Sequence, residues 1–144
     1  MKLGWPAALV LAAVCGCSRS SGPPKVQAMP VKGTVTLDGK PLAGADVVFS
    51  VADPPAVFAG RTKDDGGYEL HGLAGRESAL KGACKVTISR LVKPDGSPLA
   101  PDEAPANASA TEQLPPRYSQ FGATKLSATV GAEGGTFDFP LTTK

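Results

Sequence analysis

The sequence predicts an all-β domain of seven short strands packed as two sheets, preceded by an export signal and a flexible tether. Three observations predict it. Apolar residues recur at every second position in several short runs, the period of a half-buried strand. The 144 residues include 17 Gly and 14 Pro, enough to punctuate many turns. After residue 16 no long stretch carries the 3.6-residue apolar spacing of a helix.

Residues 1–16 read as the signal peptide. Lys2 is a short positive region, Leu3 to Val14 is mostly apolar with Pro6 early, and the small Gly16 precedes Cys17. Charge, apolar stretch and small-residue site are the parts of a secretory signal. The apolar stretch is shorter than the roughly 20 residues a membrane-spanning helix needs. Val14-Cys15-Gly16-Cys17 resembles the lipobox of bacterial lipoproteins: an aliphatic residue, a small or variable one, Gly or Ala, then Cys. Cys15 fits worse as the lipidated residue, because Val14 would then stand where Gly or Ala is needed. The resemblance implies that Cys17 is the lipidation site. Its thiol would take a diacylglyceryl group as a thioether, residues 1–16 would be removed, and the new amine would be acylated, with palmitate for example. Two acyl chains suffice for stable anchoring. Ordinary secretion with two incidental cysteines and a buried N-terminal helix are the competing readings. Ser18 after the Cys, by analogy with enterobacterial sorting, favours the outer membrane over the inner.

Residues 17–29 form the lipidated tether, rich in Ser, Gly and Pro with two basic residues and little to bury. At roughly 5–6 Å × √n it holds the domain on average about 20 Å from the membrane.

The domain proper is predicted over 30–144. Its first strand, Val31 to Leu37, alternates Val31, Val35 and Leu37 against Lys32, Thr34 and Thr36. Asp38-Gly39 is a tight-turn pair between this run and Ala45 to Ser50, a hairpin signal. Val57 to Lys63 is the third strand, Asp64-Asp65-Gly66-Gly67 a turn, and Tyr68 to His71 the fourth. Gly72 to Gly82 is a connection. Ala83 to Leu91, Leu126 to Val130 and Thr136 to Leu141 complete the set, with Pro140 suited to a strand edge or end. One apolar face per sheet requires two sheets packed face to face. The expected core is Val35, Leu37, Val47, Phe49, Phe58, Tyr68, Leu70, Val86, Ile88, Leu126, Val130, Phe137, Phe139 and Leu141. Residues 93–113 carry four prolines among Ala, Ser and Asp, and are expected to be a mobile insertion. Leu114 to Tyr118 re-enters the domain, with Tyr118 packed on it.

Val31-Lys32-Gly33-Thr34-Val35-Thr36-Leu37-Asp38-Gly39-Lys40-Pro41-Leu42-Ala43-Gly44-Ala45 resembles the opening of carboxypeptidase-regulatory-like, transthyretin-like domains. Their pattern is a G-x-V strand, a D-G turn, a P-L-x-G-A segment and an apolar strand. Thr62 to Leu70 resembles their next landmark, the T-D-x-D-G-x-Y/F hairpin, with Lys63 where Asp or Asn is common. The resemblance implies a seven-stranded Greek-key β-sandwich. It implies no particular activity, since a fold hosts many functions.

Composition narrows the rest. The net charge is +2, and removing Lys2 with the leader leaves +1, which gives no general pull toward nucleic acid or an anionic membrane surface. With Cys15 removed and Cys17 lipidated, Cys84 is the one thiol left, and alternation with Val86 and Ile88 puts it on the buried face. His71 is the single histidine and falls on the polar face. Ser78, Ser89 and Cys84 show no elbow or triad spacing toward it. Asp64 and Asp65 supply two carboxylates where a calcium site needs six or more oxygens, and they suit a turn. Arg61, Lys63, Arg76, Lys81, Lys85 and Arg90 are expected on solvated faces. No catalytic residue, metal ligand or cofactor is therefore expected, and the chain is expected not to be an enzyme. The expected function is a lipid-anchored module of the cell envelope, held to the membrane through Cys17, that acts as a non-enzymatic binding or structural module for an envelope protein or glycan. An accessory domain of a secreted enzyme or transport complex is the alternative, and a small hydrolase a weaker third.

Overall fold

The computed structural model describes residues 30–72 and 81–144. The signal peptide, the tether with Cys17, and most of the 72–82 connection lie outside the described residues. In chain order the elements are β1 (Val31–Leu37), β2 (Lys40–Pro41), β3 (Asp46–Val51), β4 (Ala56–Arg61), β5 (Gly67–Glu69), β6 (His71–Gly72), β7 (Gly82–Ser89), β8 (Leu91–Val92), β9 (Thr111–Glu112), α1 (Pro116–Ser119), β10 (Ser127–Val130), β11 (Gly135–Thr136) and β12 (Phe139–Leu141). The regular structure of the described residues is nearly all strand, with one helical turn.

β1 organises the first sheet. Its first half lies between antiparallel β5 and parallel β11, and its second half between antiparallel β2 and parallel β12. The second sheet runs β10-β7-β3-β4-β6, all antiparallel. The two sheets share one core. Phe49 of β3 meets Tyr68, Phe137 and Phe139 of the facing layer, with ring centroids 6.5, 5.9 and 6.0 Å away. Burying side chains of this size contributes roughly 1.5–3 kcal/mol each. Eleven of the fourteen expected core residues are buried, and Leu37, Leu126 and Phe137 pack partly buried against them. Leu42, Leu99 and Leu114, outside the expected set, are buried as well.

Four features differ from the sequence-based expectation. Asp38 (φ 50°) and Gly39 (φ 80°) form a tight turn, but it joins β1 to β2 and not to the long apolar run. Leu42 is drawn into the core with its N–H donating to Val35 O (3.0 Å), and the chain then crosses to the other sheet as β3. The expected fourth strand is split at Leu70, whose N–H donates to Val31 O (2.8 Å) while the next two residues join β4. One extended stretch thus changes sheets at its middle, as corner-turning strands do. The expected last strand is split at Phe137 and Asp138. Phe137 N–H donates to Lys32 O (2.8 Å), and the Asp138 carboxylate, in place of a main-chain oxygen, accepts from Thr34 N–H (2.8 Å). Pro140 lies in β12, which pairs only with β1 among the described strands.

Residues 93–113, expected as a mobile insertion, are held to the domain at several points. β8 and β9 pair across the base of the segment, Leu99 is buried, and Lys93 pairs with Glu103 (2.6 Å). Tyr118 packs partly buried against the core, and its hydroxyl and the Arg117 guanidinium both donate to Thr142 O (3.3 and 2.7 Å).

Candidate functional site

Strand alternation builds the outer face of the second sheet. The register sets Val57, Ser50, Lys85 and Ser127 in one row across β4, β3, β7 and β10. These side chains form the floor of the outer face, where Val57 is 42% exposed. The segment after α1 borders this row. Thr124 Oγ1 donates to Val86 O (2.8 Å), and Val86 N–H donates to Leu126 O (3.0 Å), which pins residues 124–126 along β7. The preceding turn carries Phe121 outward, 58% exposed, with Lys85 Nζ 4.5 Å from its ring centroid. An exposed cation–π pair of this kind contributes about 0.5–1 kcal/mol. Between floor and wall lies a groove of about 410 Å³, lined by Ser50, Ala52, Ala83, Lys85, Phe121, Lys125 and Ser127 among others. Among the described residues that line it, two are cationic and none is a carboxylate.

A second hollow of about 300 Å³ lies on the outer face of the first sheet. Lys32 stands in register between Glu69 and Thr136, and Lys63 and Asp65 complete the rim. It holds both signs of charge together.

The structure separates the residues weighed from sequence. Cys17, Arg76 and Ser78 lie outside the described residues. His71 is exposed on β6, opposite Ala59 of β4. Ser89 Oγ donates to the Glu112 carboxylate. Cys84 is 3% exposed with Sγ 3.4 Å from Gly82 O, and burial pushes its thiol up from the usual range. Asp65 Oδ1 accepts the Gly67 N–H (2.8 Å), the bond that shapes its turn, while Asp64 stays exposed. Among the described residues no group of three His, Cys, Asp or Glu is arranged to hold a metal ion.

Two arginines depart from the solvated role expected of them. Arg61 pairs with Asp46 (3.2 Å) and donates to Leu99 O. Arg90 donates through Nε to Ala43 O (2.7 Å) and through its guanidinium to Gln113. Burial, reinforced by the neighbouring Arg61 charge, lowers the Arg90 pKa. At Asp46 burial outweighs the Arg61 attraction and raises the carboxyl pKa. Both guanidiniums fasten the 93–113 segment to the sheet. Sequence reasoning also passed over Phe121 and Lys125. Their signal was an isolated aromatic beside Gly122, in a stretch with no apolar period.

No family model matches the chain, and no curated protein matches it. Among solved structures it is similar to a 9R-lipoxygenase from Cyanothece PCC8801, at 19% identity and a TM-score of 0.37 over 85% of this chain. The chain spans 17% of that enzyme's length. The expectation that the chain is not an enzyme is corrected on this point: a solved protein to which it is similar is an enzyme, and the exclusion is not carried forward. At that TM-score the similarity transfers neither fold nor activity.

Proposed function

We propose that this chain is a lipoprotein of the cell envelope, lipid-anchored through Cys17, whose β domain is a binding or structural module for an envelope protein or glycan. The outer membrane is favoured over the inner. The observation that carries the reading is Val14-Cys15-Gly16-Cys17 at the end of an apolar leader, followed by a Ser/Gly/Pro tether and then β1 from residue 31. Among the described residues no helix is long and apolar enough to cross a membrane. The finer fold, a seven-stranded Greek-key sandwich of the carboxypeptidase-regulatory-like type, belongs to the same reading. Its support is that the G-x-V, D-G and P-L-x-G-A landmarks fall on β1, the 38–39 turn and the approach to β3.

Labelling growing cells with radioactive palmitate tests the anchor. The parent chain is expected to incorporate label and to fractionate with membranes, and Cys17→Ala to do neither. A Cys17→Ala chain that stays acylated and membrane-bound would overturn the reading.

A further inference from the structure

We infer that the groove beside Phe121 docks on the membrane surface itself, taking the headgroups of anionic phospholipids. The inference rests on the lipid-anchor reading. Three observations carry it. The groove's charged lining is Lys85 and Lys125 alone, with no carboxylate among the described lining residues, so it complements an anionic surface. Phe121 stands out of the same wall at 58% exposure, an apolar ring beside cations. That pairing suits the boundary between headgroup and acyl chain, where apolar rings insert and lysines reach for phosphate. The third observation is where the chain enters the domain. Pro30 O accepts from Gly135 N–H (3.5 Å), and Val31 pairs with Gly135. The 131–134 turn leads from there to Val130, which pairs with Gly82 at the start of β7. Ala83 and Lys85 of the groove follow directly. The described domain therefore begins at the strand ends that also border the groove, and an anchor at Cys17 would hold that end near the bilayer at high effective concentration. The net charge of the chain is too small to draw it to membranes in general, so the attraction is local to this wall.

Vesicle sedimentation tests this. The full chain with Cys17→Ala is spun with phosphatidylcholine vesicles and with mixed phosphatidylcholine–phosphatidylglycerol vesicles. The apolar leader is common to every variant, so differences between variants report the groove. Binding to the mixed vesicles is expected to exceed binding to phosphatidylcholine. It should weaken about fivefold for each of Lys85→Ala and Lys125→Ala, and weaken as salt rises. Phe121→Ala should weaken binding at low and high salt alike. Phe121 and Lys125 are exposed and Lys85 is half-buried, so thermal melts should stay within a few degrees of the parent, the lost Lys85–Phe121 contact setting the scale. Equal binding to both vesicle types, or an unchanged double-lysine variant, would overturn the inference. Lysine-dependent retention on poly-glutamate resin without vesicle binding would overturn it in favour of an acidic peptide. The anchor fails separately: absent palmitate label with lysine-dependent vesicle binding removes the anchor and keeps the groove.

Discussion

The Tyr68 hydroxyl donates a 2.7 Å hydrogen bond to the Phe137 carbonyl, joining β5 to the break between β11 and β12. The contact passes over Gly33, where an added Cβ would sit 1.8 Å from Phe137 O and 3.0 Å from the Tyr68 hydroxyl. Gly33 therefore serves close approach, and the glycine of the G-x-V strand has a physical reason. Burial pushes the Tyr68 phenol far above its usual range, so it stays a donor. Tyr68→Phe leaves the Phe137 carbonyl without this partner, an expected loss of about 1–3 kcal/mol. Gly33→Ala should lose more, because backbone and not a side-chain tip must yield. Urea unfolding midpoints check both, and an unchanged midpoint for Gly33→Ala would contradict this account.

Leu99 and Glu112 hold the 93–113 segment. Glu112 accepts from Arg90 N–H (3.0 Å), Leu114 N–H (2.8 Å) and Ser89 Oγ. Leu99→Ala should cost near the low end of about 2–5 kcal/mol, since a surface segment can relax onto the gap. Glu112→Ala orphans three donors at an exposed site, where water replaces part of the loss. Both variants should be cleaved faster than the parent between residues 100 and 110 in limited proteolysis. Cleavage at parental rates in both would mean that these contacts do not hold the segment.

The legible part of the fold was the part set by local alternation. Val86 and Ile88 announce their strand by alternating with Lys85, Thr87 and Ser89, Val47 and Phe49 lie in a short β-branched and aromatic run, and all four are buried. The crossings were not legible. Leu70 and Phe137 lie inside runs that alternate well, yet at each the chain leaves one set of partners for another, which depends on hydrogen bonds to Val31 and Lys32 far away in sequence. Leu99 was hidden by the prolines around it, and its burial follows from Arg61 and Arg90 reaching across to fasten the segment. The groove was the least legible feature. Lys85 reads as one more polar-face lysine until the 120–126 turn sets Phe121 beside it.

Cys84 should be chemically silent in the folded domain. It is buried among core residues, and burial favours its protonated thiol over the reactive thiolate. In a Cys15→Ala, Cys17→Ala chain, a thiol reagent such as Ellman's should react slowly in buffer and rapidly to one equivalent in denaturant. Fast reaction in buffer at parental stability would place the thiol in solvent.

Asp38 ties the C-terminal residues to the first tight turn. Its carboxylate accepts from Thr143 Oγ1 (2.8 Å) and Thr143 N–H (3.1 Å). The Thr143 hydroxyl bond, then its amide bond, lower the Asp38 pKa below the usual carboxylate value, with a smaller contribution from Lys144. A folded pKa below the unfolded one means that the ionised group stabilises the fold. That contribution is complete above the unfolded value of about 4 and is lost as pH falls through the folded value. The tail contact should thus be indifferent to pH near neutrality and release only in acid. The Thr143 amide resonance should titrate with a midpoint below that of a free Asp. Asp38→Asn should abolish the titration and keep the turn, since Asn tolerates the positive φ at this position. A Thr143 resonance that stays flat through the acid limb in the parent, or titrates unchanged in Asp38→Asn, would show that another group governs the tail.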